Sequence, residues 1–71
     1  MSNNANITVQ NIQELYNNIQ TLIEELEDEQ KAIESVGNYS HSNFYAGKIV
    51  ALCSVSGMML GLFPDELTEV L

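Results

Sequence analysis

Ser40, His41 and Ser42 stand in a row and supply the atom types of a nucleophile and its base. Nucleophilic catalysis needs that base oriented against the hydroxyl, and adjacency in a polar turn gives no such orientation. Cap and loop roles are therefore expected for this triplet. Metal chemistry is no better supplied. A zinc site gathers several His or Cys ligands, whereas His41 and Cys53 are the sole residues of their types. The carboxylates Glu24, Glu25, Glu27, Asp28, Glu29 and Glu34 could attract calcium or magnesium, but they lack an EF-hand-like loop and its glycine. Gly57 and Gly61 are followed by no Gly-Lys-Ser/Thr, so no phosphate loop is present. The expectation is a non-enzymatic chain without metal or cofactor.

Binding chemistry is better represented. Asn38 to Lys48 is rich in hydroxyls, amides and aromatic rings, with one cation. Tyr39, His41, Tyr45 and Lys48 form a candidate site for a small anionic, nucleotide-like ligand near a helix N-terminus. Glu24, Glu25 and Asp28 form a candidate face for a protein partner with a basic surface. Ten acids against two lysines leave a net charge of -8. Duplex nucleic acid is recognised through several Lys/Arg phosphate contacts, so direct nucleic-acid binding is not expected.

These residues must be held by helices. Ile12, Leu15, Ile19, Leu22, Leu26, Glu29, Ile33 and Val36 alternate three and four apart, a heptad series with Glu29 as its polar interruption. Tyr16 and Ile23 widen the stripe toward the breadth used in bundles. Thr8 can cap this helix, with Ile7 and Ile12 as a hydrophobic staple. Gly37 can end it in a left-handed conformation. The spacing predicts a helix over about 9–36, preceded by a flexible N-terminal end, 1–7. A second helix over about 43–62 is expected, capped by Ser40, Ser42 or Asn43. The short polar turn makes the two antiparallel. Pro64, Asp65 and Glu66 suit the first turn of a short third helix over about 64–71. It is expected to turn back across Ile12, Leu15 and Tyr16. The fold class is all-α, with residues 8–71 as a single helical oligomerisation domain.

The stretch from Phe44 to Phe63 is apolar on every side but for Lys48, and such a helix must be covered on every side. Its residues sort by size. Ala46, Val50, Cys53, Ser54, Gly57 and Gly61 share a small side, on which the glycines suggest close approach of another backbone and the thiol of Cys53 is expected to be buried. One helix cannot shield both sides. A homo-oligomer follows, with a dimer as the default and the small side as its interface.

A membrane span is the competing cover. The stretch of about 20 residues matches a bilayer, and Gly57–Gly61 has the spacing of transmembrane dimers. Lys48, the central serines and the missing basic flanks disfavour it. No secretory signal pattern is visible, and the absence of a disulfide framework favours a cytoplasmic setting. The leading function is an accessory or phage-type regulator that binds and modulates a protein partner. Ligand sequestration and a small single-span membrane protein are the alternatives.

Overall fold

The computed structural model describes the backbone of residues 2–68 and the side chains of residues 8–68. Three helices follow one another: α1 (Ser2–Ser35), α2 (Tyr39–Leu62) and α3 (Pro64–Leu67). The first two form an antiparallel hairpin, and the molecule is a rod of 54 × 17 × 17 Å.

α1 begins at Ser2 rather than near Val9, so Thr8 lies inside the helix and does not cap it. Residues 2–8 contain no glycine or proline, and extending an existing helix through Ser, Asn and Ala costs little per residue. Of the third helix expected over about 64–71, α3 covers Pro64–Leu67, and residues 69–71 lie outside the described residues.

The connection is tighter than the sequence suggested. Gly37 has φ +80°, a left-handed conformation that glycine adopts without a Cβ clash. The Asn38 N–H donates to the Ile33 carbonyl at 3.2 Å and the Gly37 N–H to the Glu34 carbonyl at 2.9 Å. This is the paired closure of a Schellman motif. Asn38 then caps α2, its side-chain oxygen accepting from the His41 N–H at 3.3 Å. Helix 2 therefore starts at Tyr39, not Asn43, and Ser40, Ser42 and Asn43 lie within it instead of capping it. Asn38 is as good a cap former as they are, and it comes first.

The core is Tyr16, Ile19, Ile23, Met59 and Leu67, with Ile12, Ile49, Leu52, Leu60 and Phe63 packed around it. Leu15 and Leu22 were expected in the seam, yet they are 54% and 47% exposed, while Tyr16 and Ile23 are only 7% and 8% exposed. The stripe is real, but α2 sits on one edge of it. Both edges share Ile12, Ile19, Leu26 and Ile33 and differ in what continues them. One edge would direct Glu29 inward, whereas the other directs Gln30. The amide can donate to buried oxygens of α2, and a carboxylate pressed between apolar helices would lose its hydration. Glu29 accordingly sits exposed on the flank and does not interrupt the seam.

α3 turns back over the N-terminal half of α1, as expected. Leu67 is fully buried, and Gln13 Nε2 donates to the Glu66 carbonyl at 2.8 Å. Ile12 and Tyr16 gain cover from it; Leu15 does not.

Two substitutions test this arrangement by urea unfolding at fixed protein concentration. Leu67→Ala should cost about 2–5 kcal/mol, as for other buried leucines. Gly37→Ala should cost about 1–2 kcal/mol, the penalty for a left-handed alanine. Equal stability of Leu67→Ala and wild type would mean that α3 does not close the core.

Candidate functional site

At the turn end of the hairpin the polar residues are largely occupied with one another. Ser42 is buried and donates to Glu34 Oε2 at 2.7 Å. Gln30 Nε2 donates to the Ser42 carbonyl at 3.2 Å and to its hydroxyl at 3.3 Å. Asn38 Nδ2 donates to His41 Nδ1 at 2.9 Å. The Ser42 proton therefore points to a carboxylate, and the His41 ring to the helix cap. The geometry of a serine nucleophile with its base is not formed here.

Of the candidate ligand residues, Tyr45 and Lys48 come together, but around Phe44. The Lys48 ammonium lies 4.5 Å from the Phe44 ring centre and 5.5 Å from that of Tyr45. The two rings meet edge to face at 6.1 Å. Such contacts between a cation and ring faces are attractive even near solvent. His41 instead lines an open hollow of about 420 Å³ with Asn38, Ser40 and Phe44. Tyr39 is exposed and is not among these lining residues.

The local charge does not favour an anion. A hydrogen bond to Glu29, partial burial and the Glu29 charge together hold the Tyr45 phenol above its ordinary pKa. Glu29 thus adds negative charge beside Tyr45, and Glu34 adds it beside Ser42. Among the described residues, no group of three or more His, Cys, Asp or Glu side chains is placed to hold a metal ion.

The small side of α2 faces outward. Val50, Cys53, Ser54, Gly57 and Gly61 are exposed and Ala46 is half-buried. A methyl group placed on Gly47, Gly57 or Gly61 would meet no atom within 4 Å, so no backbone of this chain approaches closely there. The Cys53 thiol, expected to be buried, is exposed. The large side is divided. Met59, Leu52 and Ile49 pack inward, whereas Val55, Met58 and Leu62 are exposed. α2 is long and apolar enough to cross a membrane, judged by length and composition. Glu24, Glu25 and Asp28 are exposed on α1, and the helical period sets them on the side turned away from α2.

Sequence reasoning passed over Gln20, Gln30 and Ser56. Gln20 Nε2 donates to the buried Ser56 hydroxyl at 2.6 Å, a second pin between the helices. Their signal was present: Ser42 and Ser56 lie on the stripe of α2 that carries Ile49 and Phe63, seven residues apart in turn. Polar residues at such positions need partners on the facing helix.

No protein-family model matches the chain, and no curated protein or solved structure shows significant similarity to it.

The Tyr45–Glu29 contact predicts an alkaline effect with a definite sign. A phenol whose pKa is raised by folding contributes stability below its unfolded value, and that contribution is lost as pH rises through the folded value. Wild type should therefore lose stability above pH ~10, and Tyr45→Phe should flatten that limb. Ultraviolet titration should show the loss of the late-ionising phenol in the variant. Coincident alkaline limbs would mean that the contact is absent in solution.

Proposed function

We propose that this protein is a non-enzymatic, homo-oligomeric interaction module of the cytosol. Copies associate through apolar surface that the hairpin leaves open, and the acidic outer side of α1 binds and modulates a protein partner. One observation carries the reading. Val50, Val55, Met58 and Leu62 are exposed on α2, while the carboxylates Glu24, Glu25 and Asp28 are exposed on α1. Contiguous exposed apolar surface marks an association site. The acids lie elsewhere, so association leaves them free.

The length and composition of α2 favour one further reading, a membrane span. The hairpin argues against it. Gln20–Ser56 and Gln30–Ser42 tie α1 along α2. A bilayer around α2 would enclose Glu24, Glu25, Glu27 and Asp28, at about 2.5–3.5 kcal/mol for each charge placed centrally.

Sedimentation equilibrium in plain buffer tests the assembly. The expected result is a soluble oligomer at micromolar concentration, and a stable monomer or a requirement for detergent would overturn it. The acidic face is tested by the triple variant Glu24→Lys, Glu25→Lys, Asp28→Lys. Its assembly should persist. Proteins retained at low salt on the immobilised wild-type oligomer should be lost from the variant; an unchanged set would reduce the acids to a solubility device.

A further inference from the structure

The two sides of the hairpin differ. On one side, Ser42 and Ser56 of α2 are bonded to Glu34, Gln30 and Gln20 of α1. With that side fixed, the helical period sets the opposite flank of α1, which carries Glu29, beside the opposite flank of α2, which carries Lys48. Leu15, Leu22 and Glu29 recur every seven residues along that flank of α1, and Lys48, Val55 and Leu62 recur likewise on α2. The antiparallel register sets Leu15 within about a helical turn of Leu62, Leu22 of Val55, and Glu29 of Lys48. All six are exposed. The result is a strip two helices wide, apolar over two rungs and oppositely charged at the third.

We propose that this strip is the site of a second copy of the chain, related by a two-fold axis parallel to the helices. The proposal rests on the self-association reading above and specifies its face and symmetry. Under that axis α1 of one copy lies against α2 of the other, at unchanged height. Leu15 then faces Leu62, Leu22 faces Val55, and Glu29 faces Lys48, each across the interface. Every rung meets its chemical match. A two-fold axis lying in the interface but running across the helices would instead set the Glu29–Lys48 end against the Leu15–Leu62 end, with charges facing apolar side chains. The product is an antiparallel four-helix bundle.

Size and charge agree with this occupant. Two helices about 10 Å apart present a face roughly 20 Å wide and 30 Å long, so two copies cover on the order of 1,200 Å², the lower bound for a specific stable interface. The strip itself holds one acid and one base, so it is neutral despite the net charge of -8. A lipid surface matches the leucines but leaves Glu29 and Lys48 without polar partners, and the small-residue side of α2 offers less apolar area per residue.

The test is sedimentation equilibrium of the full chain, with circular dichroism to verify helicity. Leu22→Glu should weaken dimerisation at least tenfold. Since that variant can perturb folding, a second measurement uses only exposed charges. Glu29→Lys alone and Lys48→Glu alone should each dimerise about tenfold less tightly than wild type, because like charges face each other. Mixed in equal amounts, the two variants should form a heterodimer that recovers the wild-type affinity. A mixture no tighter than its components overturns the proposal. So does a wild-type dimer that is insensitive to these changes and dissociated by Gly57→Leu, which would place the interface on the small-residue side while self-association stands. A wild type that is monomeric throughout overturns self-association itself.

Discussion

Two buried hydroxyls decide which way this hairpin faces. Ser42 and Ser56 lie on the side of α2 turned to α1, and both are buried. A buried hydroxyl without a partner costs roughly as much as a core methyl or two. Gln30 and Gln20 meet them from α1, and among the described residues no buried side-chain polar atom is left without a hydrogen bond. Most of the seam is apolar, and apolar contact alone would tolerate rotation of one helix against the other. The amide–hydroxyl pairs do not. They fix both rotation and register, in the way that polar seam residues specify pairing in coiled coils.

The two ends of the hairpin protect that alignment. At the turn, Gly37 and Asn38 close α1 and open α2 within three residues. A connection so short allows little sliding. At the far end, Pro64 starts a new helix where its missing N–H costs nothing. That helix carries Leu67 over Tyr16 into the centre of the core. α1 is the longer of the two main helices by ten residues, and α3 covers part of the excess. Leu15 remains open because α3 passes on the other side of the stripe.

Alignment also separates charge from grease. Turning Gln30 inward pushes Glu29 to the flank, beside Tyr45. The same rotation exposes Leu15 and Leu22 along with Val55 and Leu62, while Glu24, Glu25 and Asp28 remain on the back of α1. A chain with net charge -8 resists close approach of a second copy, unless its acids lie away from the contact. This rotation places Glu24, Glu25 and Asp28 on the back of α1. An exposed apolar surface and an acidic outer surface thus coexist on so small a rod.

Composition and spacing were sufficient for the elements. The stripe on α1, the glycine at position 37, the apolar second helix and the proline at 64 are local signals, and each acts within a turn or two of its own position. Thr8 is a good cap former, yet nothing before it stops a helix, so α1 starts at Ser2. The caps of α2 were misplaced because several equally suited residues stand in a row, and only the closure at Gly37 selects Asn38. The choice between Tyr16 and Leu15, or Gln30 and Glu29, was not legible in α1 alone. Both edges of a broad stripe satisfy the helical period. The decision lies with the serines of α2, more than ten residues away, and it is made only when the two helices meet. Which apolar residues remain outside follows from that single rotation.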